Sequence, residues 1–198
     1  MQATLKSFLD LALLTLRDPR EGLRAVQGLG IPQGFLWQLL LLVIALSVVL
    51  AYGNLALSPV DLASAEVAAI PSPFLLAIIL GSSMLGTVFA AYFVGRACGG
   101  TGRFDQVLLA MIWMQAVMLV IQVAQTLVGL ILPPLGDMIA LFAIAAMFWL
   151  LTNFVAEVHG FTSLGRVFLM ILATILGVAI GMAVLLVLIG ATGGQGSV

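Results

Sequence analysis

Five long stretches without a charged residue constrain this 198-residue chain more than any other feature. They cover residues 25–60, 67–95, 106–136, 138–156 and 167–198. A helix needs about 20 apolar residues to cross roughly 30 Å of hydrocarbon, and each stretch is long enough to do so. The pattern predicts an all-α integral membrane protein with five transmembrane helices, which we place near residues 35–53, 73–94, 106–131, 138–156 and 167–189.

The overall composition makes the lipid bilayer the first expected partner. Only 8% of the residues are charged and 63% are hydrophobic, whereas soluble domains carry roughly a quarter charged residues. A chain of this size cannot hide so much apolar surface within itself. The formal net charge of −1 gives no electrostatic reason to expect nucleic acid as a partner.

The distribution of basic residues predicts the orientation. With five spans, every Lys and Arg falls on one side of the membrane, and the two connections on the other side, 54–72 and 132–137, contain neither. The basic residues are Lys6, Arg17, Arg20, Arg24, Arg96, Arg103 and Arg166. Because Lys and Arg accumulate in cytoplasmic loops, we expect the N-terminus in the cytoplasm and the C-terminus on the opposite side.

Residues 1–33 are predicted to form an arm of short amphipathic helices ahead of the first span. A new helix is expected to begin at Asp18, with Asp18 as N-cap, Pro19 in the first helical position and Glu21 in the third. Leu23 and Val26 are expected to face the bilayer. The arm serves either as a cytoplasmic docking surface or as an elbow that only anchors the first span.

The rest of the chain divides into a five-helix bundle, residues 34–190, and a flexible tail, residues 191–198. An internal repeat with an offset of 61 residues relates the turn at Gly99 to the turn at Gly160. The repeat predicts that spans two and three form one hairpin and spans four and five a second, parallel one, as in some transporters.

Small residues recur at helical spacing in two spans and predict close helix packing. Ser82, Gly86 and Ala90 lie four residues apart in the second span, and Gly177 and Gly181 lie four apart in the fifth. We expect them to pack helices within the chain, with a dimer contact through Gly177 and Gly181 as the alternative.

A polar face on the third span is formed by Gln115, Gln122 and Thr126. Amides and hydroxyls at this spacing serve either as contacts between membrane helices or as the lining of a solute path. The first interpretation is favoured, because a path would normally include an ionisable residue in mid-membrane.

The remaining polar residues do not form a recognisable reaction centre. His159 is the one histidine and Cys98 the one cysteine, so neither a metal site nor an internal disulfide is predicted. The glycines after the second span lack the lysine of a phosphate-binding loop. No catalytic, metal or cofactor residues are assigned. Arg96 and Glu157 occupy equivalent positions of the repeat and either form an ion pair or are hydrated separately.

Three short motifs make the chain resemble the YIP family of Ypt/Rab-interacting membrane proteins, in particular its short prokaryotic branch. They are Asp18-Pro19-Arg20-Glu21-Gly22-Leu23, Gly99-Gly100-Thr101-Gly102-Arg103-Phe104 and His159-Gly160-Phe161-Thr162-Ser163. The first precedes span one, and the other two follow spans two and four. We expect residues of these motifs, together with Arg96 and Glu157 from the repeat, to form an interaction or structural surface.

The resemblance also implies a non-catalytic, oligomer-forming membrane protein without cofactors. We expect an adaptor or scaffold for membrane organisation or trafficking, with other membrane proteins or a second copy as partners. The compact form of the chain, its preference for Arg over Lys and its Ala-rich composition favour a bacterial inner membrane. The alternative is a small transporter or lipid-handling protein that uses the polar face of the third span.

Overall fold

All regular structure in the computed structural model, which describes residues 5–57 and 71–193, is helical. Two short helices precede five long ones. The helices are α1 (Leu5–Arg17), α2 (Pro19–Gln27), α3 (Gln33–Leu57), α4 (Pro73–Ala97), α5 (Phe104–Ile131), α6 (Pro133–His159) and α7 (Leu164–Gly193). Most of the expected flexible tail lies outside the described residues, although α7 continues through residues 191–193.

The five long helices are long and apolar enough to cross a membrane. Their lengths are 25 residues for α3 and α4, 28 for α5 and 27 for α6, and α7 contributes 25 residues up to Leu188. The predicted all-α fold with five spans is confirmed. The largest difference is at α6, which begins at Pro133 rather than near residue 138, because proline is well tolerated in the first turn of a helix.

Helix α5 forms the centre of the bundle, with α1, α2, α3, α4 and α6 packed around it. Its first turns are enclosed, and every side chain from Val107 to Trp113 is buried. Only Leu132 separates α5 from α6. A Cβ atom on Gly136 would lie 2.8 Å from the Cα atom of Gly129, so the two helices are closest beside this short connection.

Helices α4 and α7 lie at the periphery, and most of their apolar side chains are exposed. In α7 the buried residues are Val167 and Ile171, both near its start, and every described side chain beyond Thr174 is exposed. Such a surface is stable in lipid, where exposed apolar groups cost nothing and backbone groups are satisfied within each helix.

The arm, formed by α1 and α2, packs against α5 and α6. Leu23 and Val26 are buried within the protein, so the prediction that they face the bilayer was wrong. The arm therefore closes one end of the bundle, the end that also carries the α4–α5 and α6–α7 turns. We call this end the arm face.

Candidate interaction site

The second helix of the arm, α2, begins after Asp18, as the sequence predicts. The Asp18 carboxylate accepts a hydrogen bond from the backbone N–H of Glu21 at 3.0 Å, and Pro19 is the first residue of α2. Capping by a carboxylate satisfies a backbone donor that has no partner within the helix. Pro19 is buried, so the residue that starts α2 also packs against the rest of the protein.

Two arginines of α2 attach the arm to the α6–α7 end. Arg24 donates through Nε and Nη2 to both carboxylate oxygens of Glu157, at 2.6 and 3.1 Å. Arg20 donates to the backbone carbonyl of Phe161 at 3.3 Å. The hydrogen bond and charge of Glu157 raise the pKa of the Arg24 guanidinium above its ordinary value. Both contacts join residues far apart in sequence.

Arg96 and Glu157 therefore do not form the ion pair that was one of the two alternatives for them. The structure pairs Glu157 with Arg24, and Arg96 instead lies over the ring of Tyr92, 5.8 Å from its centroid. Equivalent positions in a repeat place two residues at the same depth in the membrane. They do not bring them within contact distance.

A close crossing of α1 and α2 completes the attachment of the arm. A Cβ atom on Gly22 would lie 2.6 Å from the Cα atom of Thr15, so only glycine fits there. Thr15 is fully buried, and its hydroxyl accepts a hydrogen bond from the indole N–H of Trp113 at 3.0 Å. Phe8 packs edge-on against the same ring. Sequence reasoning missed Thr15 and Trp113; glycine inside α2 was the available signal.

His159 joins the two turns of the arm face. Its side chain is only 2% exposed, and it is the last residue of α6. Cβ atoms on Gly95 and Gly100 would each come within 2.6 Å of its side-chain atoms, and one on Gly102 would lie 3.0 Å from its ring. These glycines form a cage that no larger residue could build.

Two polar atoms of His159 are bonded within the same region. Its Nδ1 lies 3.1 Å from the carbonyl oxygen of Val155, and its own carbonyl accepts from the backbone N–H of Thr101 at 3.2 Å. The Nε2 atom is buried without a hydrogen-bond partner. The ring stacks on Phe161 with a centroid separation of 5.7 Å. The two glycine-containing motifs thus form one interlocked unit.

The two turns share the same backbone geometry. Gly99 and Gly160 have φ values of 90° and 73°. Gly100 N–H donates to the Gly95 carbonyl, and Phe161 N–H donates in the same way to the Ala156 carbonyl. These are the bonds of a Schellman helix end. The turns therefore match at the predicted offset, while the symmetry of the two hairpins stays a prediction.

Phe104 belongs to an aromatic cluster at the edge of the arm face. Its ring lies 5.5 Å from Phe89, 5.7 Å from Tyr92 and 6.5 Å from Trp37. The cluster joins the ends of α3, α4 and α5 that carry Arg96 and Arg103. Aromatic side chains next to basic residues are typical of the boundary between hydrocarbon and water.

The polar face of α5 is occupied by contacts with α3. Gln115 donates to the Ser47 hydroxyl at 3.1 Å, and the Thr126 hydroxyl donates to the Asn54 side-chain oxygen at 2.7 Å. The same hydroxyl lies 2.9 Å from the backbone carbonyl oxygen of Gln122, so the two acceptors share its single proton. These bonds support the interpretation of the face as a contact between helices.

The small-residue stripes do not pack within the chain, so the favoured expectation for them was wrong. Ser82, Gly86, Gly177 and Gly181 are exposed, and Ala90 is half-buried. A Cβ atom on any of the three glycines would meet no atom within 4 Å. Part of the α4 stripe instead lines a groove between α4 and α7.

Comparison with known proteins identifies a family. Searches of curated proteins and of solved structures find no match. A family model, that of the Yip1 domain, matches residues 13–197. The match extends from the arm to the last residues and includes all three motifs of the arm face. It confirms the predicted kinship, and the chain belongs to the Yip1 domain family.

Proposed function

We propose that this protein is a non-catalytic membrane scaffold, which binds other membrane proteins or a second copy through its arm face. The observation that carries the proposal is the docking of the arm by Arg20 and Arg24. A docked arm presents a fixed surface, and preorganisation lowers the entropic cost of binding a partner.

The outer side of α1 supplies the contact surface. Lys6, Asp10, Leu13 and Arg17 recur at helical spacing and are all exposed, while Ala12 and Thr15 on the opposite side are buried. Charged groups of both signs around an exposed leucine suit a polar protein partner at the membrane surface.

The experiment compares proteins that co-purify with the tagged full chain in mild detergent. In the test variant Lys6→Glu, Asp10→Lys and Arg17→Glu reverse the charges of the α1 surface, and Asp137→Lys near the opposite end is the matched control. Mass spectrometry should show companions with the wild type and the control, and their loss from the test variant. Equal recovery from all three proteins would contradict the proposal.

The proposed orientation places the arm face in the cytoplasm of a bacterial inner membrane. All seven basic residues lie in the arm, in the last turn of α4, in the α4–α5 turn or at the start of α7, which is the arrangement of a cytoplasmic side. Cys98 is exposed beside them. A membrane-impermeant maleimide should label Cys98 in inverted vesicles and leave it unlabelled in intact spheroplasts. The reverse result would overturn this orientation.

A solute path along α5 has weaker support. Gln115 and Thr126 are both engaged with α3, so a path would have to break these bonds at each passage. Flux into liposomes that is lost in Gln115→Leu with Gln122→Leu would reverse this preference.

A further inference from the structure

The groove between α4 and α7 has a volume of about 750 Å³. The walls include Gly86, Ala90 and Ala179, and the floor includes Leu151 and Val155 of α6. Because the side chains on this stretch of α4 are small, they leave the space between the two peripheral helices unfilled. The result is an elongated apolar channel that opens towards the surrounding lipid.

The groove presents no unmet polar group to an apolar occupant. The hydroxyls of Ser83, Thr87 and Thr174 line it, and each donates to a backbone carbonyl of its own helix at 2.8 to 3.1 Å. Hydroxyls bonded in this way cost little when they contact hydrocarbon. The lining therefore suits an acyl chain.

A smaller and more polar cavity of about 230 Å³ continues the groove at the arm face. Cys98, Thr162, Ser163 and Arg166 line this cavity, and Met170 lines both cavities. Among the described residues, no carboxylate pairs with Arg166. A positive charge without a partner thus lies where the apolar channel reaches the membrane surface.

The length of the groove distinguishes between occupants. Its lining extends from Ser83 to Val94 on α4 and from Met170 to Met182 on α7, about 16 to 18 Å at 1.5 Å per residue. That is close to half of the roughly 30 Å hydrocarbon core. A spanning helix from a partner needs the full thickness, whereas a lipid occupies a single leaflet.

A second groove, between α3 and α5, differs from the α4–α7 groove in length and in the charge of its lining. It has a volume of about 910 Å³ and extends from Phe35 to Leu57 along α3, which is about the full thickness of the core. Its lining residues include no charged side chain. This groove lacks the two features, single-leaflet length and a basic end, that characterise the α4–α7 groove.

We propose that the α4–α7 groove binds one anionic phospholipid, with acyl chains along the groove and the phosphate at Arg166. Apolar length, position at the membrane surface and charge all match this class of ligand. The inference concerns a lipid site on the side of the bundle and does not depend on the partner proposed for α1.

The test measures lipid binding to the full chain by native mass spectrometry in a non-ionic detergent. Phosphatidylglycerol is titrated against phosphatidylcholine with the same acyl chains, and glycerol 3-phosphate serves as a headgroup without chains. The wild type should retain one phosphatidylglycerol in preference to phosphatidylcholine. Equal retention of both lipids, or binding of glycerol 3-phosphate as tight as that of the lipid, would overturn the proposal.

Two variants separate the parts of the site. Arg166→Gln should weaken phosphatidylglycerol binding about fivefold, as expected for the loss of one basic side chain at an anionic surface. Arg103→Gln is the control, since Arg103 lines neither cavity. Gly86→Leu should fill the groove and abolish binding. The fold tolerates it, because a Cβ atom on Gly86 has no neighbour within 4 Å. Gly177→Leu is the control, since Gly177 is equally unobstructed and does not line the groove. Unchanged binding in Arg166→Gln or Gly86→Leu would contradict the assignment.

A second copy of the chain is the competing occupant. Gly86→Cys in a Cys98→Ser background tests it by disulfide cross-linking in native membranes. Absence of a cross-linked dimer is expected. A dimer formed in high yield through this position would assign the groove to a protein contact and overturn the lipid proposal.

Discussion

Arg24 in α2 and Glu157 at the end of α6 are 133 residues apart in sequence and form a bidentate ion pair across the arm face. Arg24 is 60% exposed and Glu157 18% exposed. Because water screens the arginine, the geometry of the pair contributes more to the position of the arm than to the stability of the fold.

Breaking this pair should release the arm. We expect Glu157→Arg to accelerate cleavage between residues 5 and 27 by proteinase K, with little change in thermal unfolding of the bundle. The exchanged double variant, Arg24→Glu with Glu157→Arg, should restore slow cleavage. Arg96→Glu is the control, and its cleavage should match the wild type because Arg96 contacts Tyr92. Cleavage that responds to Arg96→Glu as strongly as to Glu157→Arg, or that does not respond to Glu157→Arg, would contradict the assignment of Arg24 as the partner of Glu157.

The buried indole of Trp113 provides a second test of arm docking. Thr15→Val keeps the shape of the side chain but removes the acceptor of the indole N–H. An unpaired buried donor costs about 1–3 kcal/mol, so the free energy of unfolding should fall by that amount. A Trp113→Phe background, which lacks the donor, should make Thr15→Val nearly neutral. An equal loss in both backgrounds would show that this hydrogen bond is not the cause.

The close crossing of α1 and α2 at Gly22 predicts that a larger side chain there would displace the arm by steric overlap. Gly22→Ala places a methyl group against the Thr15 backbone, which cannot move without separating α1 from α2. Faster proteolysis of the arm is expected. In Gly28→Ala the new methyl group has its nearest neighbours at 3.4 Å, and this variant should resemble the wild type. Similar protection of both variants would disprove the tight crossing.

The cage around His159 predicts strong coupling between two residues of different turns. Gly95→Ala should destabilise the protein, because the new Cβ atom would overlap the imidazole ring. In a His159→Ala background the space is empty, and the same substitution should be tolerated. A double-mutant cycle should give a coupling energy of about 0.5–3 kcal/mol. Additive effects would mean that the ring does not fill this cage.

The positive φ of Gly99 predicts that replacing it lowers stability through backbone strain, without any steric overlap. Gly99 has φ 90°, and a Cβ atom there would meet nothing within 4 Å. Gly99→Ala should therefore cost about 1–2 kcal/mol from conformational strain alone. Gly34→Ala, which is equally unobstructed and has no positive φ, should be neutral. Chemical unfolding in mixed micelles measures both, and equal values would refute the strain argument.

The number of membrane spans could be predicted from sequence, because it depends on properties that can be summed over a continuous segment without knowledge of tertiary contacts. Hydropathy over some twenty residues and the positions of a few arginines decide how many spans there are. The cap at Asp18 and the turn glycines Gly99 and Gly160 are also local patterns. Each was predicted because its physical cause lies within about six residues.

The contacts between distant segments could not be predicted in the same way. Arg24 and Arg96 are equally plausible partners for Glu157 until the rotation of each helix is known. The stripe at Gly86 predicts helix packing, because small residues permit close approach of two helices. The pattern does not indicate whether another helix of the chain lies against it. The burial of His159 depends on three glycines 57 to 64 residues earlier in the chain, and no local pattern around the histidine indicates it.

The buried contacts of α7 are confined to its beginning, at Val167 and Ile171. The helix is therefore packed against the bundle only near its N-terminal end, and we expect the amplitude of its motion to increase towards Gly193. We therefore expect a change in bilayer thickness to shift the distal half of α7 relative to α4, while the arm, the histidine cage and the arginine contacts keep their positions.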